Sequence, residues 1–206
     1  MSKRKETLSD YLFIFAHGAG ADKDSEWMLK VDGLLKEQGL DVIRFNFPYM
    51  VKRSEDGKRR PPDRQPKLIE AFRSQLAQLS RDQKIIVGGK SMGGRMASLL
   101  AIEEALEYEI AGVVCFGFPF HPPGKPDKYR GDHLANIETP TLILQGERDT
   151  FGTREEVEQY CLGENVTLGF IPDGDHSFKP RVRSGHTLDS NLVLTAQKVS
   201  KFVDSL

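Results

Sequence analysis

One stretch limits the folds open to this chain more than any other: Lys84-Ile85-Ile86-Val87-Gly88-Gly89-Lys90-Ser91-Met92-Gly93-Gly94-Arg95. A short run rich in β-branched residues meets a glycine-flanked serine, and a helix-like segment from Met92 to Ala105 follows without a spacer. The pattern predicts a strand, one sharp turn and a helix. Gly89-Lys90-Ser91-Met92-Gly93 matches G-x-S-x-G, a turn in which the serine takes a strained backbone conformation and the glycines relieve crowding, so that the hydroxyl projects from the strand's tip. Two other readings compete. Gly89-Lys90-Ser91 could close a phosphate-binding G-x-x-x-x-G-K-[ST] loop, but its first glycine would fall on Lys84, and strand residues fill the space of the cradle. A serine between glycines in an ordinary turn gives the same five letters, so the partners have to decide.

The 206 residues accommodate one domain over 1–206, with a flexible start at residues 1–10, and a chain of this length buries about 70% of the surface its unfolded form exposes. A formal net charge of -1 provides no global attraction to nucleic acid or to an anionic membrane, so neither is expected as a partner. The apolar run from Leu12 to Ala16 is too short for a signal peptide or a membrane span, which predicts a cytoplasmic protein. Cys115 in a predicted strand and Cys161 in a predicted helix read as reduced thiols. Neither has metal-ligand spacing, and no metal or cofactor is expected.

Tyr11 to Ala16 reads as a strand buried on both faces, emptying into His17-Gly18-Ala19-Gly20. Lys23 occupies the third glycine position of a dinucleotide fingerprint, so that motif fails. The turn can instead present backbone N–H groups to the serine across neighbouring strands, with Ala19 the favoured donor; a plain glycine turn with a structural His17 is the competing reading. Trp27, Val31, Leu34 and Gln38 fall at helical spacing between Asp24 or Ser25 as cap and Gly39 as stop. Asp41 to Phe47 is a second strand. From Pro48 to Gln65 periodicity disappears and cations dominate, with Lys52, Arg53, Lys58, Arg59, Arg60 and Arg64 against Glu55, Asp56 and Asp63. This segment is expected to be an irregular loop, either a recognition flap for an anionic group or a solvated surface loop.

A helix carrying Ile69, Phe72, Leu76 and Leu79 precedes the serine strand, and Gly93, Ala97 and Ala101 give the helix after it a small-residue face. Ala111 to Phe118 is a strand followed by a proline-rich loop over 119–126, expected to wall the pocket. Thr141 to Leu144 is a strand, Arg154 to Cys161 a helix, Val166 to Ile171 the last strand, and Leu192, Ala196, Val199 and Val203 stripe a closing helix. Strands alternating with helices predict an α/β protein: a three-layer α/β/α sandwich around an approximately six-stranded parallel sheet.

Acyl transfer through a serine needs a base beside the hydroxyl, and histidine, with an unperturbed pKa of about 6.5, suits neutral pH. An elbow serine, an acid at Asp149 and a histidine at His176 follow one another along the chain, each just past a strand, and such ends share one edge of a parallel sheet. His17 belongs to the turn after the first strand, His121 and His133 precede the acid, and His186 lies later in the final connection, so His176 is favoured and His186 is the fallback. Glu147 and Asp173 remain alternatives to Asp149. Turnover is then expected to fall below about pH 6.5 as the base protonates.

The H-G-A-G turn at His17, the G-G-K-S-M-G-G-R elbow, the G-E-R-D loop at Asp149 and the G-D-H-S-F loop at His176 together resemble the α/β-hydrolase superfamily. They come closest to its small single-domain branch that includes testis-expressed protein 30 and is related to dienelactone-hydrolase-like enzymes. The resemblance implies Ser91 as nucleophile, Asp149 and His176 as its partners, and the N–H groups of Ala19 and Met92 as oxyanion donors. It also implies a minimal form of the fold, because the two strands that usually open it have no room before Tyr11 and no cap domain interrupts the chain. The expected partner is a small acyl substrate, neutral or anionic, with His17, Arg53, Arg59, Arg60 and His121 as candidate contacts. The rival reading is a non-catalytic module of the same fold that binds a protein through its basic and proline-rich loops.

Overall fold

The computed structural model describes residues 7–103 and 108–206. Six parallel strands, β1 (Tyr11–Ala16), β2 (Asp41–Phe45), β3 (Lys84–Lys90), β4 (Ile110–Phe116), β5 (Thr141–Gly146) and β6 (Val166–Ile171), form one sheet in the order β2-β1-β3-β4-β5-β6. Alternating side chains feed two cores. Ile14, Val87, Val113, Cys115 and Ile143 point to one face and Phe13, Phe15, Ile86, Val114 and Phe116 to the other. Two apolar layers explain why these strands read as nearly unbroken hydrophobic runs. Helices α1 (Glu26–Glu37) and α6 (Leu188–Val203) cover the second face through Met28, Val31, Leu35, Leu192, Ala196 and Val199. The first is covered by α2 (Pro48–Asp56), α3 (Gln65–Leu76), α4 (Met92–Leu100) and the single turn α5 (Arg154–Val157).

The register brings the strands' carboxyl ends level. Ala16 pairs with Gly89, Lys90 with Phe116, Phe116 with Leu144 and Gly146 with Ile171, so the loops after β1, β3, β5 and β6 open on one edge. The expected parallel sandwich is the observed fold. Several local expectations change. Residues 48–65 contain α2 rather than an unbroken loop: Pro48 opens the helix, Tyr49 and Met50 anchor it in the core, and Gly57 ends it at φ 69°. Two buried positions among so many charges give too little apolar period to detect. The buried face of α1 is Met28, Val31, Asp32 and Leu35, and Arg154 to Cys161 is helical only to Val157. Of the start expected to be flexible, residues 1–6 lie outside the described residues, whereas Leu8–Asp10 form a capped 3-10 turn in which the Thr7 N–H donates to Asp10 Oδ2 at 2.8 Å. The serine helix, expected to run to Ala105, ends at Leu100 with Ala101 as its C-cap.

Candidate active site

Ser91 sits at φ 51°, ψ -114°, a conformation that costs an L-residue energy and persists only where its surroundings enforce it. They do so here by close approach. A Cβ on Gly89 would lie 2.6 Å from Ala16 O, and one on Gly93 2.6 Å from Ala16 O and 2.7 Å from His17 O. Only glycines let the turn press against the end of β1. The Ser91 N–H donates to Phe116 O at 2.9 Å, pinning the turn to β4 as well.

His176 Nε2 is 2.8 Å from Ser91 Oγ, and His176 Nδ1 is 2.8 Å from Asp149 Oδ2. Asp149 is wholly buried, and its carboxylate accepts further hydrogen bonds from Gln145 Nε2 at 3.0 Å and the Phe151 N–H at 2.9 Å. Every partner of that carboxylate is a donor. Asp149 therefore accepts a hydrogen bond from a protonated Nδ1, which leaves the Nε2 lone pair facing the Ser91 hydroxyl. The other acids are engaged elsewhere: Glu147 with the Asp173 N–H and Arg154, Asp173 with Arg148 and Arg181, and Asp175 with the N–H groups of Ser177 and Lys179. His186 is exposed and hydrogen-bonds Ser184 only through its backbone N–H.

A cavity of about 350 Å³ opens at Ser91, with Gly18, Ala19, Trp27, Met28, Phe151 and His176 among its walls. Its lining is mostly apolar carbon. The turn after β1 lies against the serine, since a Cβ on Gly18 would stand 3.7 Å from Ser91 Cβ. His17 holds that turn from behind. Its Nε2 accepts from the Phe47 N–H at 3.1 Å, so Nδ1 carries the proton and donates to Gly18 O at 2.7 Å. Burial pushes the His17 pKa down, consistent with this neutral tautomer. Fixing Gly18 O on His17 turns the trans-related N–H of Ala19 away from the histidine. The Tyr49 hydroxyl donates to Ala19 O at 3.0 Å and holds the turn from its other end. Met92 opens α4, and its N–H is among the donors that a helix start leaves without an internal acceptor.

The remaining candidates lie apart from the cavity. His17 is buried and supports the turn. His121 is buried, bonded to Pro122 O and Glu156, and Arg60 is paired with Asp56. Arg53 and Arg59 do not line the cavity either. The proline-rich loop is not a wall but a backing: the His121 N–H donates to Phe151 O at 3.1 Å, and the Phe151 ring packs 4.2 Å from the His176 ring.

Sequence reasoning passed over Lys90 and Trp27, which hold consecutive carbonyls of the histidine loop. Lys90 Nζ donates to His176 O, and Trp27 Nε1 donates to Ser177 O at 3.0 Å. The ammonium also faces the Trp27 and Phe178 rings, at 5.3 and 5.8 Å from their centroids. Burial pushes the Lys90 pKa down to about 8, against the upward pull of Asp149 and Asp175. A lysine at the end of an otherwise apolar, doubly buried strand was the available signal, because a buried ammonium demands partners. Among the described residues, no group of three or more His, Cys, Asp or Glu converges to hold a metal, and no helix is long and apolar enough to cross a membrane.

Comparison with known proteins agrees with this architecture. Residues 9–204 match the family described as alpha/beta hydrolase domain. A dienelactone hydrolase from Anabaena variabilis is 22% identical, with 93% of this chain and 84% of that one covered at a TM-score of 0.65. An α/β serine hydrolase without a lid from Xanthomonas campestris is 18% identical over 95% and 82% at 0.67. The esterase domain of a Rhodothermus marinus protein is 14% identical over 95% and 87% at 0.65. At these identities the structures speak for the fold, and the profile match across almost the whole sequence settles the kinship: the chain belongs to the α/β-hydrolase family.

Proposed function

We propose that the protein is a serine hydrolase that cleaves an ester-like bond, a carboxylic ester or thioester, through an acyl-enzyme on Ser91. The reading rests on one observation: the unbroken run Ser91 Oγ, His176 Nε2, His176 Nδ1, Asp149 Oδ2, with 2.8 Å at each contact, opening on a cavity. In the first half-reaction Ser91 Oγ attacks the carbonyl carbon as His176 Nε2 takes its proton. The negative charge gathered on the carbonyl oxygen is met by the N–H groups of Ala19 and Met92, the two oxyanion donors of this reading. His176 then returns the proton to the departing alcohol or thiol as the bond to it breaks. In the second half-reaction water gives a proton to His176 and attacks the acyl carbon, and the proton passes back to Ser91 Oγ as the acid is released. Asp149 keeps the imidazole in the productive tautomer throughout.

The motifs around Ser91, Asp149 and His176 also support placing the chain in the small single-domain branch of the family. Hydrolysis of short p-nitrophenyl esters by the wild type and by a folded Ser91→Ala variant tests the proposal. Turnover that disappears with the hydroxyl is expected, and equal rates would remove Ser91 from the chemistry.

A further inference from the structure

Beyond the triad, α4 carries a cation without a counter-charge. Arg95 stands one turn after Ser91, its N–H donating to Ser91 O at 3.1 Å. Helical side chains lean toward the preceding turn, which directs Arg95 toward the serine end of α4. It is half-buried, and its Nε is sealed from solvent without a hydrogen-bond partner. The charge of a second cation, Arg130, acts on it. Arg130 hangs from the connection after β4, where its N–H donates to Phe120 O at 2.7 Å beside the residue that holds Phe151. Among the described residues, no carboxylate pairs with either arginine, whereas Arg44, Arg60, Arg73, Arg148, Arg154 and Arg181 all have one.

A guanidinium held partly out of water in the field of a second cation, with a buried donor unanswered, is costly unless an anion compensates it. Burial and the Arg130 charge both press the Arg95 pKa downward, as expected where the compensating charge is missing. His133, bonded to Ser98 at 2.8 Å, is pressed down to about 4 by burial first and by Arg95 second, so it adds no charge to compete at neutral pH. Of the Lys and Arg residues of 49–65, Lys52, Lys58, Arg59 and Arg64 are exposed, Arg60 is paired with Asp56, and the half-buried Arg53 has no buried donor left unanswered.

We infer that Arg95 and Arg130 form a recognition site for a carboxylate or phosphate on the substrate, so that the ester cleaved at Ser91 belongs to an acidic molecule. The inference rests on the serine-hydrolase reading for its chemistry. The arginines offer forked N–H donors to the oxygens of the anion. The apolar cavity, whose walls include neither arginine, receives the uncharged part.

The test has two arms on the full-length protein. In the first, calorimetric titration with inorganic phosphate and with succinate at low ionic strength compares the wild type with Arg95→Gln and with Arg130→Gln. Saturable binding weakened by roughly tenfold or more in each variant is expected, and the better-bound anion distinguishes phosphate from carboxylate recognition. In the second, kcat/KM for the mono-p-nitrophenyl ester of glutaric acid is divided by that for neutral p-nitrophenyl pentanoate. The ratio should favour the acidic ester in the wild type, collapse toward unity in Arg95→Gln and be partly kept in Arg95→Lys. An unchanged ratio, or anion binding indifferent to both arginines, overturns the site. If the wild type cleaves neither ester, the hydrolase reading fails by itself, and the titration alone decides the anion site.

Discussion

Two serine–histidine contacts of the same length, 2.8 Å, occur around one helix: Ser91 with His176 and Ser98 with His133. Their protons run in opposite directions. Ser98 Oγ donates to Arg95 O at 2.9 Å, so at the histidine it can only accept, and the neutral His133 ring donates from Nε2. At Ser91 the order is reversed, because Asp149 accepts from Nδ1–H and so leaves Nε2 to accept from the hydroxyl. Ser98 is also wholly buried inside α4, whereas Ser91 occupies a strained turn at a cavity and His176 is 24% exposed. A short contact between these two residue types therefore says little about reactivity. What separates the pairs is the acceptor behind the ring and the backbone that lifts the hydroxyl out of the fold.

The comparison breaks most directly if the two serines are exchanged in importance. Ser91→Ala is expected to lower kcat by about 10⁶, to the background of an ester assay. Ser98→Ala should leave p-nitrophenyl ester turnover within a few-fold while costing about 1–3 kcal/mol of stability in urea unfolding, because the buried His133 N–H loses its acceptor. Asp149→Asn comes next. It presents an amide where an acceptor is needed, favours the wrong tautomer of His176, and should cost about 10⁴ in kcat with little change in KM.

The third test concerns how His176 is held. Lys90→Met removes the donor to His176 O but keeps the apolar stem against Trp27 and Phe178. A kcat about 10- to 100-fold lower is expected, with KM retained and faster amide exchange over residues 175–179. Unchanged exchange there would limit Lys90 to packing.

The smallest effect sharpens the other pair. Burial, followed by the Arg95 charge, holds the folded-state pKa of His133 at about 4, below its value of about 6.5 in the unfolded chain. Between those values the unfolded chain binds more protons, so stability rises with pH and is lost as pH falls from 6.5 toward 4. His133→Gln, which keeps a donor for Ser98, should flatten that stretch of the stability profile measured by urea unfolding. The same slope in the variant would assign the acid sensitivity to other groups.

The sheet was legible because strands buried on both faces are written as apolar runs, and Tyr11–Ala16 and the Leu142–Leu144 stretch of β5 carry that signal. Ser91, Asp149 and His176 were legible for a topological reason: residues just past parallel strands must meet at one edge. Where helices were short or charged, the signal failed. α2 buries only Tyr49 and Met50, and its cations suggest an irregular loop. Lys90 and Trp27 act through backbone carbonyls of a distant loop, a contact that leaves no spacing to read. Arg95 was hidden inside the small-residue stripe of α4, where Gly93 and Ala97 drew attention to packing rather than to the charge between them.

Reaction with a fluorophosphonate probe followed by peptide mass mapping asks the central question without a substrate, since the probe bonds only a hydroxyl whose proton can be taken. One phosphonyl group on Ser91 and none on Ser98 is the expected result at neutral pH, and Asp149→Asn should slow the labelling. Folded protein left unlabelled at Ser91, or carrying the adduct on Ser98 instead, would contradict the account.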